Sequence, residues 1–153
     1  MDIALYHPDI PQNMGAVMRL CACLGAGLQI IEPCGFPFDE KRIRRAGMDY
    51  ISHVTWHRHS SFGAFEEWRL QEKRRLVLAT TRGATALYDF SFRESDVLLL
   101  GRESAGVPED VHARADARVV IPMRPGLRSL NVAMSAGILL AEGLRQTGGI
   151  SLA

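Results

Sequence analysis

No stretch of the chain reaches the ~18 consecutive apolar residues of a membrane-spanning helix, so the sequence offers no candidate span and no membrane partner is expected. Cysteine is scarce. Cys21, Cys23 and Cys34 are odd in number and form no C-x-x-C pair, which argues against a disulfide scaffold. Cys21 and Cys23 lie two apart on a predicted helix and do not share a face; buried free thiols are expected. Charge of one sign is missing too. The 18 Lys and Arg stand against 17 Asp and Glu, a net charge of +1, so overall charge does not announce nucleic acid and only local clusters could recruit it. The histidines His7, His53, His57, His59 and His112 are scattered. His57 and His59 fall on one side of a predicted strand, but nothing beside them completes a ligand set, so no metal is expected and surface or strand-end histidines are. The start, Met1 to Pro8, has neither a basic segment nor a long apolar one. No signal peptide is expected there, and the cytoplasm is the expected compartment.

What remains is an ordinary soluble composition, 47% apolar and 23% charged over 153 residues, which predicts one domain spanning 1–153 with a real core. Ile3 to Tyr6 predicts a buried strand, stopped by Pro8 and Pro11. Gln12 or Asn13 is placed to cap a helix whose stripe is Met14, Val17, Met18, Cys21 and Leu24, closed by Gly25. Further strands are expected at Leu28 to Ile31, Val54 to His57, Arg75 to Thr80, Val97 to Leu100 and Arg118 to Ile121. Helices are expected around Asp39 to Ala46, after Ser60 or Ser61, from Pro108, and from Asn131 to Gln146, with Thr147 to Gly149 frayed. Strands and helices alternate, so the expected fold class is α/β, a mostly parallel sheet flanked by helices.

Three motifs sit where a strand gives way to a helix, the place where an open α/β sheet builds its ligand site. The first is Asn13-Met14-Gly15-Ala16-Val17-Met18-Arg19. The second runs from Leu98 to Pro108 and contains Gly101-Arg102-Glu103-Ser104-Ala105-Gly106. The third is Ile121-Pro122-Met123-Arg124-Pro125-Gly126-Leu127-Arg128-Ser129-Leu130-Asn131. Gly101 and Gly106 have phosphate-loop spacing, but Val107-Pro108 replaces the lysine and hydroxyl residue that a triphosphate needs. Gly25-Ala26-Gly27 precedes a strand and lacks a third glycine, so it is a helix end rather than a dinucleotide fingerprint. Ser129 or Asn131 is expected to cap the last helix. That helix carries Ala133, Ala136, Gly137, Ala141 and Gly143, small residues that suit close packing or a subunit contact. Arg19 alone is a solvated helix arginine, and Lys41-Arg42-Ile43-Arg44-Arg45 alone is a solvated basic face.

In this order and spacing, the motifs resemble the SPOUT class of RNA methyltransferases. The match is best to the small tRNA 2′-O-methyltransferases that act on the wobble nucleotide. The segment Phe36 to Tyr50, with Lys41-Arg42-Ile43-Arg44-Arg45-Ala46-Gly47-Met48-Asp49-Tyr50, is similar to that subgroup's. The resemblance covers nearly the whole chain. It implies a SPOUT-type fold with a C-terminal trefoil knot, S-adenosylmethionine as cofactor, tRNA as partner and a homodimer as the working form. It implies a cofactor pocket of Ala79, Thr80, Gly101, Ile121, Met123, Ser129 and Leu130. Arg102 departs from the family, where proline is common, and bears on the shape of that loop.

The chemistry implied is methyl transfer to a ribose 2′-hydroxyl. The sulfonium methyl is already activated and needs no metal, so the enzyme must align the hydroxyl and handle its proton. Arg19 is the family's implied essential residue. A guanidinium with a pKa above ~12 does not deprotonate readily, so its role is divided between activating the hydroxyl and holding phosphate. Ser129 and Asn131 would orient the reacting groups, and Asn13 and Glu103 would position Arg19 and the loops. Arg42 and Arg45, three apart on one helical face after the aromatic Phe36 and Phe38, are the implied RNA contacts. The competing readings are 2′-O-methylation of another RNA, such as ribosomal RNA, and a non-catalytic RNA-binding protein of the same fold.

Overall fold

Ile3-Ala4-Leu5-Tyr6 and Val97-Leu98-Leu99-Leu100 are apolar at every position, the pattern of strands buried on both faces. In the computed structural model, which describes residues 1–150 (backbone alone for 46–49), they pair at the centre of a seven-stranded parallel sheet. Its strands are β1 (Asp2–Tyr6), β2 (Gly27–Ile31), β3 (Trp56–His59), β4 (Arg75–Ala79), β5 (Thr85–Ala86), β6 (Asp96–Leu100) and β7 (Ala117–Val120). Their order is β3-β2-β1-β6-β4-β7-β5. The chain builds outward from β1 to β3 and then returns to lay β4 on the other side. Later, β6 enters between β1 and β4, and β7 enters between β4 and β5. The helices are α1 (Pro11–Leu24), α2 (Glu40–Gly47), α3 (Phe62–Gln71), α4 (Glu109–Arg114) and α5 (Val132–Thr147), with a 3-10 turn at Met48–His53.

Side chains alternate across a strand, so each central strand feeds two cores. Ile3, Leu5, Val77, Leu98 and Leu100 pack with Met14, Val17, Met18 and Cys21 of α1 and Ala136, Leu139 and Leu140 of α5. Ala4, Tyr6, Leu76, Leu78, Val97 and Leu99 pack on the opposite face against Phe65 of α3 and Val111 of α4. Each large aliphatic side chain fully buried there contributes about 1.5–3 kcal/mol. Arg75 forks onto the fully buried Asp96, at 2.6 and 2.7 Å, and ties β4 to β6.

Several expectations need correction. Helix α1 starts at Pro11, capped by the backbone of Ile10 rather than by Gln12 or Asn13. Proline suits the first helical position because its φ is preset and no N–H is lost; this earlier start frees the Asn13 side chain. Of the two caps expected for α5, Asn131 is the one used, accepting from the N–H groups of Ala133 and Met134 at 2.8 and 3.3 Å. Pro108 is the N-cap of α4 rather than its first residue. Strand β3 runs from Trp56 to His59 rather than from Val54 to His57: the 3-10 turn ends at His53, and Val54 and Thr55 link it to the strand. The two-residue β5 was too short to show a period. The end of α5 is capped rather than frayed: Gly148 takes a left-handed conformation and its N–H reaches Leu144 O. Cys21 is buried, which pushes its thiol up to about 12, whereas Cys23 is exposed. His59 and His112 are buried, the first against Gln29 Oε1 at 2.8 Å.

Candidate active site

The carboxyl ends of β4, β6 and β7 and the start of α1 meet around one cleft of about 620 Å³, a size suited to a small molecule. Ala79 to Arg82 enter from the end of β4, Leu100 to Glu103 with Ala105 and Gly106 from the end of β6, and Ile121, Met123, Arg128, Ser129, Leu130 and Asn131 from the segment after β7. Asn13 of α1 and Ile10, the residue before that helix, close it. The seven residues assigned above to cofactor binding, Ala79, Thr80, Gly101, Ile121, Met123, Ser129 and Leu130, all line this cleft. So do Asn13, Glu103 and Asn131.

Glycine is required in the β6 loop for two distinct reasons. A Cβ on Gly101 would lie 2.6 Å from the carbonyl carbon of Gly106 and 2.7 Å from its Cα. Gly106 itself has φ +66, the left-handed region that glycine enters without penalty. Paired backbone hydrogen bonds between Arg102 and Gly106, at 3.0 and 2.8 Å, close the loop on itself.

A chain of side-chain hydrogen bonds then joins the three motifs. Asn131, while capping α5, donates from Nδ2 to Asn13 Oδ1 at 3.0 Å. Asn13 donates from its own Nδ2 to Glu103 Oε1 at 3.2 Å. Glu103 Oε2 accepts from the backbone N–H of Asp9 at 3.0 Å. Asp9 in turn receives Arg102 Nη2 at 2.8 Å and both the N–H and hydroxyl of Ser104. These hydrogen bonds, Arg102's first, hold the Asp9 carboxyl down at about 2. Because the folded pKa lies below the ordinary 3.8, this tie is fully present above the unfolded pKa and is lost only as pH falls through about 2. Arg102, the departure from the family pattern, is therefore a tie across the loop. Asp9 was not singled out in the sequence; its place between Pro8 and Ile10 reads as turn, and only the fold brings it to Arg102.

Arg19 lies outside the cleft. It is exposed, six residues beyond Asn13, which is about 9 Å along the helix axis. Its guanidinium sits over the Tyr50 ring, 4.7 Å from the centroid. Arg42 and Arg45 are exposed on α2, which is anchored by the buried Ile43. Arg42 also borders a small notch with Pro11, Gly15, Phe36 and Pro37, so the basic face adjoins the first turns of α1. Arg82, Arg102 and Arg128 line the cleft beside the carboxylate of Glu103; Arg102 is paired with Asp9 at 2.8 Å and Arg82 with Glu109 at 3.1 Å. No cluster of three metal-ligating side chains occurs among the described residues.

A parallel sheet whose cleft lies at the carboxyl ends of its strands, framed by the loops after β4, β6 and β7, has the ligand-site architecture of an open α/β protein. The chain belongs to the SpoU rRNA Methylase family, whose model matches residues 1–141. A relative from Ancylobacter novellus, named tRNA (cytidine(34)-2'-O)-methyltransferase, is 62% identical over 149 residues, covering 97% of this chain and 94% of that one. A relative of the same name from Escherichia coli is 39% identical over 150 residues, covering 97% and 94%. A solved structure concerning the 2-OH methylation of C/U34 on tRNA superposes with TM-score 0.89 at 43% identity, covering 97% of each chain. The SpoU methyltransferase AviRb from Streptomyces viridochromogenes, in complex with the cofactor AdoMet, superposes with TM-score 0.86 at 28% identity, covering 95% of this chain and 60% of that one.

Proposed function

We propose that this chain transfers the methyl group of S-adenosylmethionine to the ribose 2′-hydroxyl of the wobble nucleotide, cytidine or uridine, in a tRNA anticodon. The observation that carries the proposal is the hydrogen-bonded chain Asn131–Asn13–Glu103, which gathers all three motifs at one cleft. Ribosomal RNA is the competing substrate. The near full-length match to relatives named for position 34 favours tRNA; a ribosomal RNA methyltransferase structure from Sinorhizobium meliloti is covered over only 55% of its length.

The cleft fits the cofactor. Its aliphatic walls (Ala79, Leu100, Ile121, Leu130) suit a nucleoside, and the Gly101–Gly106 approach leaves backbone where a side chain would intrude. Ala79, Thr80, Gly101, Ile121, Met123, Ser129 and Leu130 would hold it. When bound, it supplies a methyl group on a positively charged sulfur, already primed for attack by oxygen. The chain's task is then to place and polarise that oxygen. Ser129 and Asn131 stand at the cleft to orient the ribose, with Asn131 locked by Asn13. The role of Arg19 would be divided between activating the 2′-hydroxyl, its N–H groups stabilising the negative charge that builds on the oxygen as the proton leaves to solvent, and holding the adjacent phosphate.

Arg19 lies outside the cleft of its own protomer, so the reading requires a homodimer in which Arg19 of one subunit serves the cleft of the other. A two-fold dimer is the commonest assembly, and exposed apolar side chains (Ile10 40%, Leu130 42%, Met134 61%) surround the cleft and the start of α5. We also read the insertion of β6 and β7 between earlier strands as a trefoil knot, and the whole chain as one domain. Absence of a metal requirement and a cytoplasmic location belong to the same proposal.

The direct test is transfer of labelled methyl from S-adenosylmethionine to tRNA, with and without a 2′-deoxyribose at the wobble position. Loss of labelling with the deoxy substrate is expected; unchanged labelling refutes the site. Two variants probe the parts. Asp9→Ala removes the tie on the β6 loop and should weaken cofactor binding roughly threefold to tenfold in calorimetry; unchanged affinity would show that the tie does not shape the cleft. Arg42→Glu with Arg45→Glu should weaken tRNA binding and flatten its salt dependence, with cofactor affinity retained. Unaltered tRNA affinity would reduce this pair to a solvated face.

A further inference from the structure

Arg19 rests with its guanidinium over the ring of Tyr50. The residue is exposed, and an unrestrained arginine side chain carries about 2 kcal/mol of rotamer entropy. A group that must meet a reacting oxygen works best when that freedom is already removed. Here the guanidinium lies 4.7 Å above the Tyr50 ring, inside the range of about 6 Å over which a ring face attracts a cation. A ring face attracts the cation without a carboxylate's demand on its N–H groups, which stay available to another acceptor. A carboxylate partner would instead consume those same N–H groups.

Tyr50 is itself well placed for this. It lies in the 3-10 turn between Met48 and His53, next to Ile51, which is 7% exposed within the main core. That turn follows directly on α2, the helix bearing Arg42 and Arg45. The segment that presents the basic face to RNA therefore also carries the ring under Arg19.

We propose that Tyr50 is a positioning residue for methyl transfer, holding the Arg19 guanidinium through its ring face so that the N–H edge is presented to the RNA. The proposal rests on the reading of Arg19 given above. The ring's electron density, rather than its hydroxyl or its bulk, is the property that matters.

The test is turnover by the intact dimer on full-length tRNA for Tyr50→Phe, Tyr50→Leu and Tyr50 replaced by a ring-fluorinated phenylalanine, which keeps the shape but weakens the negative face. Tyr50→Phe should keep kcat within about twofold. Tyr50→Leu should lose about tenfold in kcat, and the fluorinated ring should fall between them. Cofactor affinity and Tm should be unchanged in the fluorinated variant. In mixed dimers, Tyr50→Leu should be rescued by a cleft-blocked Ser129→Trp partner but not by an Arg19→Ala partner, since both of the latter defects affect the same contributed arginine. If kcat does not follow ring electron density, or if the loss follows cofactor affinity instead, the proposal is overturned. Arg19→Ala, measured alongside, separates the two readings. If that variant is inactive while Tyr50→Leu is fully active, only the role of Tyr50 falls; if Arg19→Ala remains active, both fall.

Discussion

Arg19→Ala is expected to lower methyl transfer by about a hundredfold to a thousandfold, the effect of removing one group that stabilises charge in the transition state. Cofactor binding and dimerisation should be unaffected, because Arg19 is exposed and lies outside the cleft. The informative form of the experiment is a mixed dimer with Ser129→Trp, a variant that blocks the cleft. One of its two sites would combine an unaltered cleft from the Arg19→Ala subunit with an unaltered Arg19 from its partner. Part of the activity should return, and native mass spectrometry can verify that mixed dimers are present. Mixed dimers that form yet stay inactive would show that Arg19 works within its own subunit.

Gly101→Val is expected to weaken cofactor binding by roughly tenfold to hundredfold with Arg19 intact. A Cβ at this position meets the backbone of Gly106 at 2.6 Å, and backbone atoms cannot swing aside as a flexible side-chain tip can. The loop must open, and its two Arg102–Gly106 hydrogen bonds must stretch or break. Overpacking of this kind costs about 1–3 kcal/mol, which corresponds to roughly a tenfold to hundredfold loss of affinity. Gly101→Ala should fall between wild type and Gly101→Val. Calorimetry with S-adenosylmethionine measures both. Wild-type affinity in Gly101→Val would mean that the loop is not the cofactor's wall.

Legibility in the sequence followed the range of each interaction. The buried strands at Ile3 and Val97 were plain because continuous apolar runs report burial on both faces locally. The stripe Met14, Val17, Met18 and Cys21 likewise announced the inner face of α1. The motif residues were readable through the family resemblance rather than through spacing, and the fold then gathered Asn13, Glu103, Ser129 and Asn131 at one cleft. What was not legible depends on contacts between distant residues. Asp9 meets Arg102 and Ser104 across more than ninety positions, and no local pattern distinguishes it from a turn aspartate. Tyr50 was visible as the end of a subgroup segment, but its contact with Arg19 arises only when the 3-10 turn packs on α1. The cap of α5 was ambiguous between Ser129 and Asn131 because both side chains can accept from a helix's first N–H groups; only the folded chain shows that Asn131 Oδ1 accepts them, from Ala133 and Met134. The insertion of β6 and β7 between earlier strands leaves no trace in periodicity, since a strand reads the same wherever it joins a sheet.

Nucleoside mass spectrometry of anticodon-loop fragments, from tRNA of cells with and without this protein, tests the central claim most directly. Loss of the 2′-O-methyl group at the wobble cytidine or uridine, restored by the wild-type gene but not by Arg19→Ala, is the predicted result. An unchanged wobble nucleotide, with a 2′-O-methyl lost instead from ribosomal RNA, would contradict it.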